Sequence, residues 1–452
     1  MMQKYSIKDV SHYKESFDYR TPMKFGGRIV EHVWVYHVDL TIEDEQGKSA
    51  TGHGSMTMGN IWAWPSQVVS SEDTLQAMIS MADKTCELAR EFPNFEHPIP
   101  LLFEFEHKLK QLSCNAFDDL KETDPAIEPM PQLAKMVAAS PLDAAIHDAF
   151  GKLHNRSSFQ TLGKEFLKQD LSTFLDNEFS GRYLSEFVNE KPRANLPLYH
   201  LVGALDPIFG EWGKTLSGHD FPELLGDWIV RDGLTHLKIK LAGDDFDWDV
   251  ERVLDIDSAA KTVQLDRGCV DWCYSLDFNE KCASIDYVVE FLEVIRRRNP
   301  DGFDRIQYIE QPTHRDLKQH PQNTVHEAAK IKPVVIDESL IDYETLLLAK
   351  EQGYSGVALK ACKGQTGSLL MAAAAQKFDM FLCVQDLTCI GHNFLHSASL
   401  AAHIPTVAAI EGNGRQYCPE GNKDWEGRYR DVLYPKDGRI ASQRLDGVGL
   451  GF

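Results

Sequence analysis

The chain has no long hydrophobic run. Its longest uninterrupted apolar stretch, LLMAAAA at 369–375, is far short of the roughly 20 residues a helix needs to cross a bilayer. The opening MMQKYSIKDV lacks the apolar core of a secretory signal, so a cytoplasmic location and no membrane partner are expected. Cysteine is sparse: nine residues, an odd number, scattered without a CxxC pair. Neither a disulfide framework nor a cysteine metal site is expected, and Cys269 and Cys273 read as core thiols. Positive charge is scarce too. The 47 Lys and Arg against 68 Asp and Glu leave −21, which opposes binding to nucleic acid or an anionic membrane surface. A small anionic substrate would need cations gathered at one place.

What is present suits a large folded core. Of 452 residues 43% are hydrophobic and 25% charged, and that length predicts two domains, one of them large. The segment VEHVWVYHVDLTIEDEQGKSATGHGS alternates apolar and polar positions around EDEQGK, predicting an antiparallel hairpin. Helical periodicity takes over from about Ser71. CNAFDDLKETDPAIEPMPQ, rich in Pro and acidic residues, reads as a loop. From ANLPLYHLVG at 194 onward, short apolar strands alternate with amphipathic helices, the pattern of βαβ units around a parallel sheet. One helix is explicit. Ile285, Val288, Val289, Leu292 and Ile295 share a face behind Ser284 as N-cap, and Pro300 and Gly302 stop it.

The strand ends carry the chemistry. Strand-like runs finish at Lys240, Asp277, Glu310, Asp337, Lys360, Asp386 and Glu411, at intervals of 23 to 37 residues. Each interval fits one strand, one helix and their loops. With LPLYHLVG they make eight strands, predicting a TIM-like (β/α) barrel, in which catalytic groups sit at the C-terminal strand ends.

In HLKIK, alternation puts Lys238 and Lys240 on one face and Leu237 and Ile239 on the other. On that stretch alone an edge strand with a solvated lysine face explains the pattern. The later strands point instead to a buried, inward face. Asp277, Glu310 and Asp337 end three successive strands and would sit side by side. At about 4 Å and an effective dielectric near 20, each such pair costs on the order of 4 kcal/mol. A divalent cation removes that repulsion, and an all-oxygen set favours Mg²⁺, with Mn²⁺ as substitute. The competing explanation, that each acid only caps the following helix, weakens with three in consecutive units. Lys360 ends the sixth strand, diametrically opposite Lys240 on the second. Two lysines flanking a metal-held acid suit removal or delivery of a proton on either face. Burial and neighbouring cations are expected to lower one lysine's pKa enough for it to act as a neutral base.

The ordered set KIK, DFN, EQP, DES and LKACKGQTG resembles the muconate lactonizing branch of the enolase superfamily, within the mandelate racemase and muconate lactonizing enzyme group. The resemblance extends to SPLDAAIHDAFGKL at 140–153 and the ending DGRIASQRLDGVGLGF. It implies Mg²⁺ on Asp277, Glu310 and Asp337, with Glu338 adjacent, and Lys240 and Lys360 as the acid/base pair. Lys238 would polarise the substrate carboxylate or tune Lys240, Asp386 would face the substrate, and Asn279 would support the metal site. The implied activity is abstraction of a proton α to a carboxylate, in a racemase, epimerase, cycloisomerase or syn-dehydratase acting on a small carboxylic acid. The resemblance also implies a homo-oligomer and an N-terminal α+β capping domain. We expect that domain at 1–140, the barrel at 141–430, and a segment at 431–452 packing back on the cap. RTPMKFGG (20–27) and GHGSMTMGNIWAWP (52–65) are the expected mouth loops. The family often has Glu where this chain has Ser55, in a Gly-x-Gly-Glu pattern.

Other signals divide. His53 is either a substrate contact in the capping loop or an ordinary polar residue. His392 and His396, spaced i,i+4 without the zinc-protease Glu, read as a structural helix face. KGQTGS reads as a turn before a helix, at most a modest anion cradle. Lys363 falls beyond the strand alternation and is expected in solvent, and Trp62 and Trp64 are compatible with plain packing. Two alternatives stand beside the proton-abstraction reading. One is a Schiff-base barrel using Lys240 or Lys360; the other is a non-catalytic barrel.

Overall fold

The computed structural model describes residues 3–25, 28–215 and 220–452. The N-terminal sheet has three antiparallel strands, β1 (Tyr5–Phe25), β2 (Arg28–Asp44) and β3 (Ser49–Thr57). The β2–β3 pair is the hairpin expected from its alternation, with Val38 opposite Gly54. The helices Ser71–Ala89, Pro98–Leu109 and Asn115–Thr123 follow. The last corrects the loop expected at 114–132. Its acidic residues line a short amphipathic helix with no fully buried side chain, so the segment is helical while remaining at the surface.

Eight parallel strands then close on themselves: β4 (Leu196–Val202), β5 (His236–Lys240), β6 (Cys273–Asp277), β7 (Ile306–Glu310), β8 (Val334–Ile336), β9 (Gly356–Leu359), β10 (Phe381–Val384) and β11 (Val407–Glu411). Neighbours pair in sequence order and β11 pairs with β4, so the sheet is a (β/α) barrel. A short β12 (Arg439–Ile440) runs antiparallel to β4 on its outside. Leu237, Ile239 and Leu276 pack outward into the helical layer with no measurable exposure. Inside, Tyr199, Tyr308, Val335, Ala358, Cys383 and Ala409 form a separate buried cluster. Two large rings facing small Ala and Cys side chains fill the barrel base, as close packing requires.

The helix Ile285–Arg298 forms as its periodicity predicts, but Ser284 makes no side-chain cap hydrogen bond. Pro300 begins the next helix, Pro300–Arg305, rather than only ending the first, because a proline costs nothing at a first helical position. All nine cysteines are free; Cys269 and Cys273 are half-buried, not core residues. The LLMAAAA run lies in the buried part of the helix Gln365–Lys377. Among the described residues no helix is long and apolar enough to cross a membrane.

The helix Gln132–Leu153 joins cap to barrel, and the expected boundary at 140/141 falls inside it. β3 lies directly on its backbone. A Cβ on Gly54 would stand 2.0 Å from the Pro141 carbonyl oxygen, and one on Gly52 would stand 2.1 Å from that of Ala145. Glycine is therefore required at both positions by close approach. Asp148 of the same helix accepts from the His53 and Leu450 amides, at 2.8 and 2.9 Å, tying β3 and the C-terminal segment to one carboxylate. Gly54→Ala should lower stability by about 3 kcal/mol, the upper range for overpacking, read from the urea midpoint. A change under about 0.5 kcal/mol, the scale of an ordinary surface substitution, would refute this packing role.

Candidate active site

Strand alternation stacks an ionisable layer on the apolar barrel base. Two residues beyond Ser275, Tyr308, Val335, Ala358, Cys383 and Ala409 come Asp277, Glu310, Asp337, Lys360, Gln385 and Glu411. Period two in a strand returns each side chain to the same face. Lys238 and Lys240 enter from β5, and all these residues are buried. The register sets Lys240 beside Asp277 and Asp277 beside Glu310. Just past the strands, Asn279, Glu280 and Gln311 have φ of 52°, 57° and 27°. These left-handed turns are unusual for residues with a Cβ, and they occur where the chain leaves the site.

Lys238 is the electrostatic centre of the layer. Its Nζ lies 2.8 Å from Glu310 Oε1, 3.0 Å from Glu411 Oε2 and 3.3 Å from Asp277 Oδ2. Lys240 Nζ is 2.5 Å from Asp277 Oδ2 and donates to Asn279 Oδ1 at 3.0 Å. On the opposite wall, Lys360 Nζ is 3.0 Å from Asp337 Oδ2. Lys363 corrects the expectation of a solvent position. The short 3₁₀ turn Ala361–Lys363 folds it back, burying its ammonium against the Asp337 carbonyl, with Asp337 Oδ1 at 3.3 Å.

The buried acids Asp277, Glu310, Asp337, Glu338, Asp386 and Glu411 outnumber the buried lysines 238, 240, 360 and 363 by two. Titration follows from that excess. Burial, reinforced by Asp277, pushes Glu310 up to about 8. Burial with Asp337 does the same to Glu338, and burial with Glu411 to Asp386, each to about 8. For Asp277 and Asp337 burial also acts upward, but the adjacent lysines outweigh it and hold both below the usual carboxylate range. The expected lowering of a base lysine is corrected for Lys360. Burial pulls its pKa down, but Asp337 and the other acids outweigh that and raise it. Lys363 is lowered, because there burial outweighs Asp337.

The donor chemistry fits a hard divalent cation: oxygens only, in acid excess. Glu338 Oε2 and Asp386 Oδ1 are buried without a hydrogen-bond partner, the state in which a carboxylate oxygen gains most from a cation. Among the described residues no three His, Cys, Asp or Glu side chains already converge at metal-ligand spacing. Asp277 and Glu310 turn toward Lys240 and Lys238 instead.

The layer opens into a cavity of about 1120 Å³, mouth included, roofed by the cap. Lys238, Lys240, Asp277, Glu310, Asp337 and Lys360 line it, as does Asp386. Asp386 Oδ2 accepts from the Cys389 and Asn413 amides, both at 3.2 Å. Asn279 reaches the site through Lys240 without lining the cavity. His53 is not brought there either. Its Nδ1 lies 2.7 Å from Asp39 Oδ1 and its ring packs edge-on to His392. Ser55 Oγ is 2.9 Å from His392 Nδ1, and His396 Nε2 is 2.9 Å from Gln365 Oε1. His53, Ser55 and His392 thus lie on the seam between cap and barrel, and the His396 contact lies within the barrel. The KGQTGS turn is an anion cradle that Asp143 fills, accepting from the Gln365 and Thr366 amides at 3.0 and 3.2 Å. Of the expected mouth loops, Gly26 and Gly27 lie outside the described residues, while Met23, Phe25 and the stretch around Trp62 line the cavity.

Gln385 and Trp62 escape a reading of acidic strand ends. Gln385 continues the inward face just past β10, and its amide donates to Glu310 Oε2. Counting in twos from Cys383 finds it; counting back from the terminal acid passes over it. Glu411 carries the same strand-end signal as its neighbours. Trp62 donates from Nε1 to Glu338 Oε1 at 2.9 Å, and its carbonyl accepts from Arg315 at 3.0 Å, which clasps cap to barrel. Nothing in its local sequence pairs it with either.

The sequence profile of the enolase C-terminal domain-like family matches residues 220–452. No curated protein matches the chain in sequence. Among solved structures it is similar to the L-Ala-D/L-Glu epimerase of Bacillus subtilis, at 15% identity and a TM-score of 0.62, covering 99% of this chain and 98% of that one. It is also similar to a dipeptide epimerase of Enterococcus faecalis V583 complexed with Mg and L-Leu-L-Tyr, at 15% and 0.58, covering 91% and 92%. A third is the muconate lactonizing enzyme of Pseudomonas fluorescens complexed with muconolactone, at 16% and 0.58, covering 99% and 96%. Identities this low speak for the fold; the family match covers more than half of the chain. The chain therefore belongs to the enolase C-terminal domain-like family.

Proposed function

We propose that this protein abstracts and returns a proton α to a carboxylate, with Lys240 and Lys360 as the two proton carriers on opposite walls and Mg²⁺ held by Asp277, Glu310 and Asp337. The observation that carries this reading is the buried layer itself, three adjacent carboxylates between two lysines on strands four apart. The metal named with the E. faecalis relative is the one the oxygen donors here suit. Bound there, Mg²⁺ would supply positive charge beside the substrate carboxylate as the α-proton leaves. The chain's own residues do the rest. Lys238, fixed by Glu310, Glu411 and Asp277, presents a permanent positive charge beneath the substrate carboxylate. Asn279 orients Lys240. Asp386, backed by two amides, meets the substrate from the seventh strand. A proton carrier must be neutral to accept, so neutralising Asp337 would remove the partner that keeps Lys360 charged. A homo-oligomer, implied by the family resemblance, belongs to the same reading.

Incubation of candidate carboxylic acids in D₂O should give α-deuterium incorporation with Mg²⁺, loss with EDTA, and recovery when Mg²⁺ is restored. Incorporation unaffected by EDTA would refute the metal assignment. Borohydride trapping of a substrate on Lys240 or Lys360 would replace the reading with Schiff-base chemistry.

A further inference from the structure

Floor and walls of the cavity differ in chemistry. The floor is the ionisable layer. The walls come from the cap: Met23 and Phe25 on β1, Ile29 and Trp34 on β2, and Ile61 and Trp62 after β3. Two of these rings stand over the proposed proton carriers. Lys240 Nζ lies 4.6 Å from the Phe25 centroid, and Lys360 Nζ lies 4.5 Å from that of Trp62. A substrate held between the lysines therefore has an aromatic face near each reacting side.

Charge is distributed just as unevenly. Among the described residues no arginine lines this cavity, and its lysines are the three of the floor, each against a carboxylate. The charged groups that the cap adds are Glu31 and Glu72, both exposed at the mouth beside His32. One carboxylate of a ligand can be met by the floor. A second anionic group would point at Glu31 and Glu72, or turn back toward Asp386 and Glu411. A polyhydroxylated body is served less well, because hydroxyls placed against Met23 and Ile61 lose water without gaining partners, and the polar groups on the walls, such as Tyr19, Asn60 and Thr388, are few beside the apolar ones.

From this distribution we propose that the substrate is a monocarboxylic acid bearing a large, uncharged apolar group at or near its α-carbon, with that group lodged between Phe25 and Trp62. The assignment rests on the metal and lysine reading above, which defines the floor as the carboxylate end. It also gives Trp62, in the stretch 52–65, a place against the ligand.

Calorimetry on the Mg²⁺-loaded protein tests it with three probes: 2-phenylbutanoate, 2-phenylsuccinate and gluconate. The first two differ only by a methyl group against a carboxylate. The phenylbutanoate should bind about tenfold more tightly than either other acid, since like charges facing one another disfavour the dianion. Ile29→Arg, which adds a cation at the wall, should narrow the gap to 2-phenylsuccinate by about tenfold and leave Mg²⁺ binding unchanged. Equal or tighter binding of 2-phenylsuccinate or gluconate overturns the proposal, as does absence of binding by all three. Deuterium incorporation on the same samples separates the two claims. Preferential binding of the phenylbutanoate with no exchange upholds the ligand class and counts against the lysine chemistry. Exchange confined to gluconate or 2-phenylsuccinate does the reverse.

Discussion

Lys360→Met is expected to reduce α-proton exchange on one enantiomer of a turned-over acid by about a thousandfold while the other enantiomer still exchanges; Lys240→Met should show the opposite selectivity. The asymmetry follows from the barrel. Strands β5 and β9 face one another across it, so each ammonium addresses one side of an α-carbon held between them. Neither substitution abandons a buried carboxylate. Without Lys240, Asp277 keeps Lys238 at 3.3 Å; without Lys360, Asp337 keeps Lys363 at 3.3 Å. Both variants should therefore fold, and their thermal midpoints serve as the control. Chiral separation of deuterated product by mass spectrometry reads the result. Equal loss on both enantiomers in both variants would refute two independent proton carriers, and full activity in both would remove lysine catalysis altogether.

Lys238→Met should act in another way and produce the largest loss of stability. Among the described residues Lys238 is the one cation within 3.3 Å of three acids at once, Asp277, Glu310 and Glu411. Removing one partner from a buried ionic network leaves uncompensated charge and costs about 3–5 kcal/mol. Part of that cost is relieved if the acids take up protons, as the upward shift of Glu310 to about 8 already indicates. Urea unfolding in EDTA should show the full loss. Added Mg²⁺ should restore stability, because an ion bound only by the folded state stabilises it by mass action. A loss below about 1 kcal/mol, the range of exposed ion pairs, would mean that Lys238 is not the centre of the network. Failure of Mg²⁺ to restore any stability would place the cation elsewhere.

The barrel was largely legible in the sequence because its strands end on ionisable residues, and a charge closes an apolar run sharply. All eight expected strands are present, including the two lysine-bearing ones. The N-terminal hairpin was legible for a related reason, its alternation being that of a sheet with one buried face. The stretch at 114–132 misled because Pro and acidic residues suit surface loops and short surface helices equally. Lys363 misled because period two holds only within a strand, and the 3₁₀ turn that reverses the chain has no such period.

The sequence by itself determined the order of Lys238, Lys240, Asp277, Glu310, Asp337 and Lys360 along the chain and the face each would share, because strand periodicity is a local property of the backbone. Only the tertiary structure decided which groups meet. Closure of β11 onto β4 brings Glu411 to Lys238 from 173 residues away. Seating of the cap sets Phe25 and Trp62 over the two lysines and leaves His53 on the seam behind Gly54. These contacts depend on packing between segments remote in sequence, where burial of the whole interface selects the neighbours and no local pattern records them.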